Sequence, residues 1–238
     1  MPTSAEFRAR KAVADPRQTS PRRVHDLVRT AIREGMLQPD DRIVEEFLIR
    51  EMATSRNAVR EALQMLASEG LVRRERREGT TVVRSVIRIP LNDIVSRVAP
   101  DGFGVKRLED RRVPSTALIR SRLQTDADEV GAIEHLFTFE GDAIGIRVAY
   151  YHLEISQPEG WEHCPDLGTA FEQVFGSPLG RVETTIDSFV CDPRTGRALD
   201  LPVGIPTLVK EQTLYDSFDK PQEFAYSHYR SDRVTFVV

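Results

Sequence analysis

Cysteine is scarce in this chain: Cys164 and Cys191 are the only two in 238 residues, they lie far apart, and neither belongs to a CxxC pattern. With no His pair beside them at ligand spacing, they exclude a disulfide framework and a zinc centre, and no metal is expected. No apolar run approaches the roughly 20 residues that a membrane-spanning helix requires. The opening stretch, MPTSAEFRARKAVADPRQTS, has no continuous apolar core of the kind a secretory signal carries. A cytoplasmic protein with no membrane partner is the expectation. Catalytic signatures are missing as well. There is no GxSxG, HExxH, phosphate-binding loop or dinucleotide fingerprint, and no Cys/His or Ser/His nucleophile pair can be placed. The common hydrolase, metalloprotease, nucleotidase and dehydrogenase classes are thereby disfavoured, and neither a catalytic residue nor a cofactor is expected.

What is present divides in two. The length exceeds that of a typical domain, and a hydrophobic content of 40% is enough for two modest cores. The net charge of −4 hides an asymmetry: residues 1–88 carry 18 Lys and Arg against 13 Asp and Glu, whereas residues 89–238 carry 15 against 24. A basic module joined to an acidic one is the composition of a nucleic-acid-contacting domain fused to a sensing or pairing domain.

Residues 1–20 are polar and aperiodic and are read as an arm. From Pro21, the residues Val24, Leu27, Val28, Ala31 and Ile32 recur at helical spacing, and Gly35 offers a stop. Glu45–Ala53 forms a short second helix with Phe47, Leu48, Ile49 and Met52 toward a core. Thr54 and Ser55 supply cap chemistry for a third, whose stripe is Val59, Ala62, Leu63, Leu66 and Ala67, with Gly70 at its end. Two β-rich runs, Leu71–Glu75 and Thr80–Arg84, flank the hairpin composition Arg76-Arg77-Glu78-Gly79. Three helices followed by a β-ribbon make a winged helix-turn-helix. Ile87 to about Pro100 reads as a connector. Beyond it Ala117–Arg122, Ala132–Phe139, Ala143–Leu153, Arg181–Val190, Pro206–Tyr215 and Gln222–Tyr229 read as strands, with at least one helix, near Leu167–Phe175. Turns such as Glu140-Gly141-Asp142 make the sheet antiparallel and this half α+β.

In a helix-turn-helix the second helix of the motif enters the major groove, and its N-terminal residues reach base edges. Arg bonds a guanine edge through two donors and Asn an adenine edge through a donor and an acceptor, so Arg56, Asn57 and Arg60 are the candidate base readers. A solvated helix face is the alternative reading of the same cluster. The run Ser55-Arg56-Asn57-Ala58-Val59-Arg60-Glu61-Ala62-Leu63, with Leu66, Glu69-Gly70-Leu71 and Gly79-Thr80, resembles the signature of the GntR family of bacterial transcription regulators over residues 21–84. The resemblance implies that Arg56, Asn57 and Arg60 face the major groove, and that Arg77, Gly79 and Thr80 approach the minor groove or backbone. Two positions depart from the family pattern. Pro39-Asp40 stands where Pro-Gly is usual, and Glu46 stands where an Arg often touches phosphate.

The closing stretch, including Ala198–Pro206, Thr213–Asp216, Pro221–Phe224, Tyr229–Arg233 and Phe236, resembles the UTRA effector-binding domain of the HutC subfamily. That resemblance implies a chorismate lyase-like fold with a six-stranded antiparallel sheet, a small-molecule effector and a homodimer formed largely by the sheet domain. It places His135 and Phe137 where sugar-phosphate sensors carry an Arg pair, and Arg147 where they carry a Glu, while Glu223 and Tyr229 match in type. Arg147 offers a planar fork for a carboxylate or other anion, with His135 as a second donor. Glu223 and Tyr229 are suited to hydroxyl or amine groups. The competing structural reading pairs Arg147 with Glu134 or Glu154, bonds His135 to backbone and packs Tyr229 in the core.

The expected architecture is thus an arm over 1–20, a winged helix-turn-helix over 21–87, a linker over 88–104 and a UTRA-like domain over 105–238. The expected function is ligand-controlled binding of double-stranded, palindromic operator DNA by a homodimer, with repression relieved by the ligand. An architectural DNA-binding protein without an effector and a lyase-like enzyme remain as alternatives at this point, since fold alone does not carry function.

Overall fold

The computed structural model describes residues 20–75, 78–96, 102–156 and 158–238. The expected arm over 1–20 falls, except for Ser20, outside these residues. The chain divides into two compact units, one ending at Ile87 and the other starting at Arg88.

In the first unit, helix α1 spans Pro21–Arg33. Ser20 caps it by accepting the Arg23 amide at 3.2 Å, and Val24, Val28, Ala31 and Ile32 face inward. A two-residue strand β1, Arg42–Ile43, leads into α2, Glu45–Glu51. Before β1 the chain turns at Asp40 with φ +72°. This is the position where the family pattern has Gly, and Asp is among the few side-chain-bearing residues that tolerate the left-handed region. Helix α3 spans Arg56–Ser68, opened by Ser55 accepting the Ala58 amide at 3.1 Å. Val59, Ala62, Leu63 and Leu66 are fully buried beneath it. Strands β2 (Val72–Glu75) and β3 (Gly79–Val82) form the wing, and β1 pairs with β3 so that the sheet order is β1-β3-β2. One apolar core joins the three helices to Leu71, Val72 and Val82. Phe47, expected in that core, is instead 38% exposed beside Arg50, because α2 is only two turns long and presents Leu48 and Met52 inward.

The second unit is built on a six-stranded antiparallel sheet. Its strands are β5 (Phe103–Pro114), β6 (Glu129–Phe139), β7 (Asp142–Tyr151), β8 (Leu179–Val190), β9 (Pro206–Asp216) and β10 (Pro221–Arg230). The spatial order is β5-β6-β7-β10-β9-β8. Glu140 and Gly141, both with positive φ, make the tight turn between β6 and β7. A small second sheet pairs β4 (Ile87–Pro90) with β11 (Val234–Val237). Helices α4 (Ala117–Leu123) and α6 (Pro193–Leu199) pack on one face of the large sheet and α5 (Leu167–Phe175) on the other.

Three expectations need correction. Ala117–Leu123 is a helix, because Thr116 caps it through the Ile119 amide at 3.3 Å and Ile119 and Leu123, four residues apart, bury one face. Residues assigned to a linker over 88–104 contribute to β4 and begin β5 at Phe103. Helix α6 was not anticipated, although Asp192 caps it and Pro193 opens it.

Candidate nucleic-acid interface and effector pocket

The N-terminal turn of α3 projects Arg56, Asn57 and Arg60 to solvent, on the side opposite its buried stripe. Carboxylates of α2 hold the two arginines: Arg56 lies 3.1 Å from Glu46 and Arg60 lies 3.4 Å from Glu45. Glu45 also meets Arg74 of the wing at 3.2 Å, and Arg74 donates to the carbonyl of Arg60 and to Gln64. Glu46 therefore turns toward the reader helix. Exposed pairs of this kind are worth about 0–1 kcal/mol, so they orient the guanidinium groups without committing them.

At the wing, Gly79 has φ +100°, and a Cβ there would lie 3.1 Å from Nε of Arg42, whose guanidinium donates to the carbonyl of Glu78. Thr80 is 2% exposed, paired across the wing with Ile43 and Arg74. Its side chain belongs to the interior, so it can offer DNA only its backbone. Arg77 lies outside the described residues. Together with Arg42, Glu45 and Glu46, Arg56, Arg60 and Gly79 border an open recess of about 840 Å³. Sequence reading missed the contribution of Arg42, Glu45 and Arg74, since nothing in local periodicity brings α2, α3 and the wing together.

In the second unit the pairing register lines up a row across five strands on one face: Arg107 (β5), His135 (β6), Arg147 (β7), Ser227 (β10) and Lys210 (β9). Four of the five are basic, and α5 covers this face. Arg147 is 1% exposed and bonds Glu223, itself 3% exposed and one strand over. The expected alternative partner Glu134 points to the opposite face, where Arg194 holds it at 2.5 Å. His135 is 2% exposed; burial pushes its pKa down to about 3, with Arg147 and Arg107 acting in the same direction, so the ring is neutral. Lys210 donates to the main-chain carbonyl of Asp93, and burial, with help from Arg147, holds its pKa down to about 7. Tyr229 stacks on Phe137 at 5.9 Å, and burial pushes its phenol up to about 12. Gly145 makes room for that ring: a Cβ there would sit 2.6 Å from it.

Nε of Arg147, Nδ1 of His135, Oε1 of Gln212 and Oη of Tyr229 have no hydrogen-bond partner among the described residues. Each buried polar atom left so costs about 1–3 kcal/mol, and native interiors hold few of them. Their clustering on one sheet face makes that face the candidate effector site. Two recesses open onto it. One, of about 290 Å³, is floored by Arg147 and Glu223 and walled by Leu167, Phe171, Phe175 and Leu214. The other, of about 490 Å³, contains Arg107 and His135, and Trp161 borders both. All four sequence-predicted ligand residues thus share one face. Lys210, Gln212 and Arg107 were missed because only strand register reveals them as neighbours, and Trp161 because it sits on a short helical turn outside the sheet. The alternation of Leu208, Lys210, Gln212 and Leu214 along β9 was the one available signal.

Known proteins agree with this division. The model for bacterial regulatory proteins of the gntR family matches residues 21–82, and that for the UTRA domain matches residues 103–235. The HTH-type transcriptional regulator GgaR of Escherichia coli (strain K12) is 26% identical over 225 residues, 89% of this chain and 87% of that protein. The HTH-type transcriptional repressor NagR of Bacillus subtilis (strain 168) is 25% identical over 228 residues, covering 90% and 91%. The crystal structure of PhnF from Mycobacterium smegmatis superposes with a TM-score of 0.60 at 24% identity, covering 90% of this chain and 97% of that one. The helix-turn-helix, the sheet and the two matched segments together make this chain a member of the gntR family of bacterial regulatory proteins with a UTRA domain, of the HutC type, and so a DNA-binding transcription regulator under ligand control, not an enzyme.

Proposed function

We propose that the chain acts in the cytoplasm as a homodimeric repressor of a palindromic operator, with DNA recognition in the first unit and sensing and pairing in the second. Arg56, Asn57 and Arg60 read base edges in the major groove, and Gly79 and Arg77 bring the wing to the backbone. Two recognition helices in a symmetric dimer demand two half-sites related by a two-fold axis. The effector carries an anionic group and lowers operator affinity when it binds. The observation that carries this reading is the row of Arg107, His135, Arg147 and Lys210, the last three buried and Arg107 at its exposed edge, against which Glu223 is the carboxylate bonded to Arg147. Such a row favours an anion that can use the unpartnered Nε of Arg147 and the ring of His135. NagR and PhnF are named transcriptional repressors, which supports repression here.

The test begins with operator DNA selected by the full-length protein from a random duplex library, with affinity read by fluorescence anisotropy. Arg60→Ala should weaken the selected duplex by about 1–3 kcal/mol, roughly 5- to 150-fold, while a loss within about twofold would remove Arg60 from the readers. Glu46→Gln, which removes a carboxylate from the surface that meets the duplex, should tighten binding to unrelated duplex several-fold. It should also steepen the salt dependence by about one unit of log–log slope. An unchanged slope would mean that Glu46 does not face the DNA.

A further inference from the structure

The recess beneath α5 combines two features that together restrict what can enter it. Its floor is a pair of opposite charges, Arg147 and Glu223, both almost wholly buried. Its walls are apolar side chains: Leu167, Phe171 and Phe175 from α5 and its start, Leu214 from β9, and Trp161. Resting on the reading of this recess as the effector pocket, we propose that the ligand is a zwitterion of amino-acid type, with its anion on Arg147, its ammonium on Glu223 and an apolar side group against α5.

Charge balance is the main argument. A plain anion that reaches Arg147 must share it with the Glu223 carboxylate, and two carboxylates at one buried guanidinium repel strongly where dielectric screening is weak. A plain cation meets the converse difficulty at Arg147 and Lys210. A zwitterion exchanges one internal ion pair for two ligand ion pairs and adds no net charge to the interior, avoiding the cost of an uncompensated buried ion. Donor geometry agrees. Arg147 bonds Glu223 through Nη2 while its Nε has no partner among the described residues, so the guanidinium fork retains a face for a second carboxylate. The rest of the recess lining is apolar, which suits the uncharged side group of such a ligand. Its position completes the case. Ile94 lines the same recess, and the adjacent carbonyl of Asp93 is the acceptor for Lys210, so a ligand here contacts the segment that follows the boundary between the two units.

The experiment is isothermal titration of the full-length protein with the apolar L-amino acids, each set beside its two truncated analogues. For leucine these are isocaproate, which lacks the amine, and isopentylamine, which lacks the carboxylate. For phenylalanine they are hydrocinnamate and phenethylamine. At least one amino acid should bind, and removing either charged group should weaken it by about tenfold or more, the effect of one charge-assisted hydrogen bond. Glu223→Gln, which keeps the shape of the floor, should lower affinity for the amino acid and not for the amine-free acid. Binding of the amine-free acid within about threefold of its parent would overturn the zwitterion and leave the anionic effector standing. Failure of every amino acid, with uptake of phosphate, sugar phosphates or dicarboxylates tested alongside, would do the same. No heat with any amino acid or anion would overturn both.

Discussion

Lys210 is surrounded by less water than any lysine can occupy without consequence. It is 1% exposed, faces the rings of Phe236 and Tyr229 at 4.9 and 5.7 Å, and has a main-chain carbonyl as its acceptor. Its pKa falls from 10.5 to about 7, chiefly through burial. Between those two values the unfolded chain binds more protons than the folded one, so folding stability rises with pH across that window. Below about 7 both forms are protonated and the burial cost is fully present. Replacing Lys210 with Met removes the titration and retains a flexible apolar stem. Urea unfolding at about pH 6 and about pH 9 should show wild-type stability increasing with pH and the Lys210→Met variant nearly flat, with the variant gaining most at the lower pH. A wild-type protein with no such rise would mean that water reaches the amine. His135 works in the acidic range by the same logic: with its folded pKa near 3, its neutral form adds stability that is lost as pH falls below its ordinary 6.5.

Helix α3 shows how a single element couples stability to recognition. Ser55 satisfies the amide of Ala58 one turn in, and Arg56 and Asn57, the proposed readers, follow that cap directly. Ser55→Ala should cost about 1 kcal/mol of unfolding free energy, measured by chemical denaturation, and a loss under about 0.3 kcal/mol would show that the cap contributes little here. This helix was legible in advance because thirteen residues with a four-residue apolar spacing leave one consistent face. Short elements were not. Helix α4 has seven residues, too few for the helical period to separate from an alternating pattern, and its charged, β-compatible composition reads as a strand. Strand β5 is an exposed edge rich in Lys, Arg, Asp and Glu, so it has no apolar alternation to announce it. The central strands β6, β7, β9 and β10 were found, yet their register was not. Hydropathy says that a strand is buried, whereas only pairing says that Lys210, Ser227, Arg147 and His135 stand in one row. The residues singled out by resemblance therefore share this face, and their neighbours on it were not anticipated.

At the scale of the whole molecule, the segment Leu91–Val95 belongs to the second unit and is fastened to its sheet. Gln212 donates to the carbonyl of Leu91, Lys210 to that of Asp93, and Thr184 to the side chain of Asn92, while the Leu91 amide bonds Val237. These residues would be discarded by anyone cutting the protein where composition suggests a linker. That gives modularity a definite seam. A fragment beginning at Arg88 retains every acceptor that the buried lysine and glutamine need. One beginning at Gly102 keeps Thr184 for the glutamine but loses the Leu91 and Asp93 carbonyls and Ile94, leaving a buried amine with no acceptor from that segment and a recess with a missing wall. The longer fragment should fold and bind the same ligand as the intact protein, while the shorter one should be less stable by several kcal/mol, as unpaired buried groups of this kind dictate. Comparable thermal midpoints for the two would place the seam further along the chain. The sensing half therefore does not hang from the DNA-binding half by a neutral tether: a graft that moves this sensor onto another reader must carry the stretch from Arg88 with it, because that stretch is part of the receptor itself.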